Sequence, residues 1–197
     1  MQIVENDISG KKVIFESILD EIPGGVSLKV ANLDYTTKNT NVDKRFLPAG
    51  TPVYVDYSAR TADVAKSSTA LASSTSTGIK VAKNNHWKVA DIFNDGITSA
   101  TISSITTSVA GYDTINVDAA LVYALGTEYC EGSVTGTSTA LEYSPNALTK
   151  SEVWIYDGNA DVAVVTIGSV REDALTFPIN ALLAASLRGT KSLITLV

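Results

Sequence analysis

The side chains that carry most protein chemistry are scarce in this chain: one histidine, His86, inside "NNHWKV", and one cysteine, Cys130, inside "EYCEG". A general base working near neutral pH would have to be His86 or a carboxylate retuned by its surroundings. No Gly-x-Ser-x-Gly elbow, phosphate-binding loop or His-Glu-x-x-His pair accompanies it, and one Cys with one His falls short of a zinc cage. No catalytic residue and no cofactor follow from these types. His86 reads as a turn or interface residue beside Trp87, and Cys130 as a small apolar side chain.

Two acidic clusters invite a metal test. "DIFNDG", 91–96, sets Asp91, Asp95 and Gly96 near calcium-loop spacing, but Phe93 stands where an oxygen is needed and Ile102 where the bidentate glutamate belongs. "DGNAD", 157–161, spaces Asp157, Asn159 and Asp161 well, yet Val162 replaces the required glycine and Gly168 the glutamate. Both read as turns, and no metal is expected. "REDA", 171–174, gathers Arg171, Glu172 and Asp173 after a strand, either as a solvated turn or as a polar contact with another subunit. Trp87 and Trp154 are either core side chains or interface anchors, where aromatics are enriched.

The elements that must position these residues are mostly strands. Segments rich in Val, Ile, Thr and Tyr, punctuated by Gly, Asn and Asp, predict strands at 12–18, 26–33, 52–56, 60–65, 78–82, 100–107, 113–118 and 127–132. Ala110-Gly111-Tyr112 suits a hairpin turn. "KSSTALASSTSTG", 66–78, offers nothing large to pack and reads as a long surface loop. Farther on, Glu152–Tyr156 and Asp161–Val170 read as a hairpin about the turn 157–160, with Val153 and Ile155 on one face and Trp154 and Tyr156 on the other. "FPINALLAASLRGT" predicts one helix near 179–188, with Asn180 as its cap, Leu182, Leu183 and Leu187 as its apolar face and Gly189 past its end. "SLITLV" reads as a last strand. The expectation is a mainly β protein: a barrel- or sandwich-like part over 1–144 and a small strand-strand-helix-strand module over 145–197.

The chain has 197 residues, enough for one well-cored domain or two small ones, and a formal charge of −6. Its 15 basic residues are scattered, which gives no footprint for nucleic acid. The start "MQIVENDISGKKVIFES" has no basic region followed by an apolar core, and no apolar run is long enough to cross a bilayer, so neither export nor a membrane partner is expected.

"RFLPAGTPVYVDYSARTADVAK" followed by "GIKVAKNNHWKVADIF" resembles the auxiliary capsid and head-fibre proteins of tailed bacteriophages, particularly those of gut bacteria. "ALTKSEVWIYDGNADVAVVTIGSVREDALTFPI" resembles the final module of the same proteins, so the resemblance covers most of residues 45–180. It implies a non-catalytic structural protein on the outside of an assembled icosahedral head, made in the host cytoplasm. The implied partners are the major capsid protein, other head-fibre proteins and sister copies in a homotrimer. A long heptad or repetitive β-region, the material of a fibre shaft, is missing, which favours a decoration or a fibre base. The competing expectation is a carbohydrate-binding or adhesin module that stacks sugars on Trp87, Tyr54, Tyr57 or Trp154.

Overall fold

Alternation of apolar and polar side chains sets most of the strands. In "PVYVD", Val53 and Val55 are buried while Tyr54 between them faces out; in "GIKV", Ile79 and Val81 are buried on one side. The computed structural model describes residues 14–34, 46–155, 159–189 and 192–197. Strand makes up 42% and helix 6%, so the protein is mainly β.

The first strands are β1 (Phe15–Glu21), β2 (Val26–Leu28), β3 (Phe46–Leu47), β4 (Pro52–Asp56) and β5 (Thr61–Val64). A second group follows: β6 (Ser67–Thr69), β7 (Gly78–Val81), β8 (Ile92–Asn94), β9 (Ser99–Thr106), β10 (Asp113–Val117) and β11 (Glu128–Gly132). The chain ends with β12 (Ala147–Thr149), β13 (Val153–Trp154), β14 (Ala160–Val162), β15 (Val164–Val170), helix α1 (Ala181–Leu187) and β16 (Leu193–Leu196).

Apart from β3 and β13, which pair with each other in a two-stranded sheet, the strands of the first and last groups share one sheet, in the order β1-β15-β12-β4-β5-β2-β14, with β16 added beside β15. Only Ala163 separates β14 from β15, so this one stretch of chain pairs with β2 on one side and with β12 on the other. The sheet therefore closes on itself. Hydrogen bonds of 2.8 Å from Lys150 N to Ala163 O and 3.2 Å from Ile22 N to Val164 O seal the bend. Gly25 sits at the seam with φ +66°, and a Cβ there would lie 2.7 Å from the Val162 carbonyl oxygen, a close approach only glycine permits. Leu28, Leu47, Val53, Val55, Ala62, Val64 and Val164 fill the interior.

β6 to β11 form a second sheet, in the order β6-β11-β8-β9-β10-β7, inserted between β5 and β12. Its end strands are joined where Leu71 N donates to Lys80 O at 2.8 Å, so this sheet curls as well. Its core is aromatic: Trp87 meets Phe93 edge-on at 4.7 Å, and Phe93 stacks on Tyr129 at 4.4 Å. Burial of each large apolar side chain contributes about 1.5–3 kcal/mol.

Several expectations need correction. The boundary near 145 falls inside one sheet, since β12 pairs with β4 as well as β15. Residues 66–78 are not a free surface loop: β6 lies within them, and Lys66, Ser67, Ser68, Ala70 and Ser74 are buried. Small side chains suit that place because Ser68 Oγ accepts the Trp87 Nε1 proton at 2.8 Å and Ser67 Oγ donates to Pro178 O at 2.6 Å. Among the described residues the strand near 153 pairs with β3 and not with β14, so the ladder expected of a C-terminal hairpin is not found there; Tyr156 and the first two turn residues, Asp157 and Gly158, lie outside the described residues.

Other expectations hold. β9 and β10 pair as a hairpin around 110–112. Asn180 caps α1 by accepting the Leu183 N–H at 3.0 Å, and Leu183 and Leu187 bury against the far side of β15.

Candidate functional site

Arg171, Glu172 and Asp173 do come together, in a turn of 3-10 helix, Glu172–Ala174, after β15. Arg171 donates to Asp173 at 2.9 Å and 3.3 Å, and both side chains are largely exposed. With Glu16 and Val197 they rim a broad depression of about 620 Å³. The turn also ties the sheet's edges together, since Arg171 N donates to Ile14 O and Glu172 N to Val197 O. Burial, and then the Glu172 charge, raise the Glu128 carboxyl above its ordinary value. An exposed ion pair of this kind contributes little to stability.

The two tryptophans part company. Trp87 is 1% exposed and belongs to the core of the inserted lobe, so it is neither a subunit contact nor a sugar platform. Trp154 is 44% exposed, because Val153 and Ile155 take the inward face of the same segment. It packs against Phe46 across the β3–β13 pair, ring centroids 5.5 Å apart, and these two rings line a groove of about 460 Å³ with Pro48, Phe177, Lys83 and Glu152. Tyr54 on β4 and Tyr57 in the turn that follows it are half-exposed.

His86 is buried at the meeting of the lobes, its Nε2 3.3 Å from Phe46 O and its ring edge-on to Phe177. Cys130 is buried beside α1, and burial is the main reason its thiol is pushed up to about 11. Such a thiol is inert.

Two features escaped sequence reasoning. The first is a buried ion triad between the lobes. Lys66 Nζ lies 2.5 Å from Asp91 Oδ2 and 2.9 Å from Glu131 Oε1, with the Lys66 side chain 2% exposed. Desolvation lifts the Glu131 carboxyl to about 7, against the opposing pull of Lys66. The acid of the rejected calcium loop, Asp91, is thus a structural counter-ion. The signal was available only as a lysine leading a run of small residues.

The second feature is an apolar cluster at loop ends of the inserted lobe. Asp95 Oδ1 accepts the N–H groups of Ile97 and Thr98, while its Oδ2 accepts the Thr98 hydroxyl and the Val122 N–H at 2.9 Å. One carboxylate therefore pins two loops together. They present Ile97 and Val122, each 61% exposed, beside Tyr123 and Leu125. Ser99 Oγ fixes a third loop by donating to Val134 O at 2.6 Å, and Val134 is exposed too. Isoleucine directly after Asp-Gly, in "NDGITS", was the sequence signal: an apolar residue in a turn position.

Among the described residues no group of three His, Cys, Asp or Glu side chains is placed to hold a metal ion, and no helix is long and apolar enough to cross a membrane. No protein-family model, curated protein or solved structure matches this chain.

Proposed function

We propose that this chain is a structural, non-catalytic virion protein that binds the outside of an assembled phage capsid, decorating the head or forming the base of a head fibre. The observation that carries the reading is the set of exposed apolar side chains Ile97, Val122, Tyr123, Leu125 and Val134, on loops that Asp95 and Ser99 tie together by hydrogen bonds. Exposed apolar side chains grouped on ordered loops mark protein contact surfaces, and pinning them beforehand lowers the entropy lost on docking. The sequence resemblance supplies the kind of partner, the major capsid protein.

A contact of standard size buries about 1,600 Å² and varies widely in affinity with the quality of its few anchors. Many equivalent sites on one shell make modest affinity per copy sufficient. A site that spans neighbouring shell subunits stabilises their assembled arrangement by mass action. Sedimentation with intact heads, and with dissociated coat subunits of the same phage, tests the proposal. The chain should pellet with heads and leave free subunits unbound; equal binding to both would contradict it.

A further inference from the structure

We infer that the Trp154 groove is a binding site for a neutral pyranose unit of a glycan. The inference stands apart from the capsid reading, because the groove is built from other residues than the apolar loop cluster. Its volume of about 460 Å³ lies within the range of about 300–1,000 Å³ typical of small-ligand sites.

The lining divides into two kinds of surface. Trp154, Phe46, Pro48 and Phe177 give an apolar wall, and the indole is 44% exposed while tilted 58° to the Phe46 ring. An aromatic face carries partial negative charge and attracts the polarised C–H groups that line one face of a pyranose ring. Lys83, Asn84, Glu152 and Thr176 form the polar side of the lining. Asn84 is held at φ 66°, and its Oδ1 meets no donor among the described residues. A ligand hydroxyl reaches this buried atom only on rotation of the carboxamide toward the groove.

Charge selects a neutral ligand. The cation at the groove, Lys83, is already engaged: its Nζ lies 2.6 Å from Asp113 Oδ1 and 2.8 Å from Thr107 O. Asp113 is itself fully buried and takes a second bond from Asn85 Nδ2 at 2.9 Å, so this network is structural. With Lys83 so held, the described lining offers no uncommitted cation to a phosphate, sulfate or uronate group. The groove is also rigidly set, since Trp154 pairs with Phe46 in the β3–β13 ladder and His86 holds the Phe46 carbonyl.

The chain holds two tryptophans, Trp87 buried and Trp154 exposed, so a ligand-induced change in indole emission that Trp154→Ala removes reports this groove. The intact protein is titrated with a panel of neutral trisaccharides, those of β-1,4-glucose, β-1,4-N-acetylglucosamine, α-1,4-glucose and α-1,6-mannose, and with the anionic trisaccharide sialyllactose. At least one neutral probe should shift or quench the emission with half-saturation on the order of 1 mM, the affinity that one stacked ring and a few hydrogen bonds provide. Sialyllactose should bind at least tenfold more weakly. Isothermal calorimetry should show the response abolished in Trp154→Ala and partly kept in Trp154→Phe, both with the melting temperature of the parent. No saturable response to any neutral probe, a response that survives Trp154→Ala, or preference for sialyllactose would each overturn the assignment.

Discussion

The two lobes reach the same kind of curled sheet by opposite routes. The inserted lobe draws all six strands from one continuous run, Ser67–Gly132, and its β8–β9 and β9–β10 pairs are hairpins. The other lobe closes only when β14 meets β2 and β12 meets β4, strands from opposite ends of the chain. One lobe can form from local contacts, whereas the other must bring both chain ends together around a completed insert, which costs more loop-closure entropy. The insert, which carries the apolar loops, thus has the more local pairings of the two lobes.

If the lobes depend on each other through their shared junction, the largest effect should come from residues 66–78. Replacing them by a Gly-Ser connector removes β6, which holds one end of the second sheet, and with it the Ser68 partner of Trp87. The altered chain should lose cooperative thermal unfolding and the near-ultraviolet tryptophan signal. A melting temperature close to the parent's would show that the segment is dispensable surface after all.

Lys66→Ala comes next. It leaves Asp91 and Glu131 as buried carboxylates without their cation, and breaking such a pair costs about 3–5 kcal/mol. Urea titration should show the loss, and Lys66→Met, which restores volume but not charge, should recover little of it. A loss below about 1 kcal/mol would mean that the junction is wetter than its 2% exposure implies.

Glu131 gives a smaller effect with a defined sign. Its folded-state pKa of about 7 lies above the ordinary value of 4.5, so between those pH values the folded chain holds a proton that the unfolded chain releases. Its contribution is fully present below about pH 4.5 and is lost as pH rises through 7. Stability should therefore fall from pH 5 to pH 8, and Glu131→Gln should flatten that slope. An unchanged slope in the Gln variant would assign the pH dependence elsewhere.

Legibility followed the same division. The 110–112 hairpin and the Asn180-capped helix were readable because turn chemistry and capping act over a few residues. The pairing of Val162 with Val26 was not, because no local pattern records which distant strand a β-run will join. Alternation correctly set Trp154 opposite Val153 and Ile155, and so exposed it. Trp87 has no such frame, and its burial depends on a serine, Ser68, in a segment whose composition reads as loop. Of the predicted contact residues, the Arg171–Asp173 turn was locatable from its position after a strand, whereas the Ile97–Val122 cluster needed Asp95 to bridge two loops that only the fold brings together.

The measurement that bears most directly on the account is sedimentation of Ile97→Asp/Val122→Asp with intact heads beside the unaltered chain. Both side chains are 61% exposed and their backbone N–H groups keep their bonds to Asp95, so the double variant should stay folded, with a loss of about 1 kcal/mol per site from the new charges near that carboxylate. Its binding to heads should fall about tenfold or more, as expected when central apolar anchors become charged. Undiminished binding by a folded double variant would contradict the assignment of this loop cluster as the surface that meets the shell.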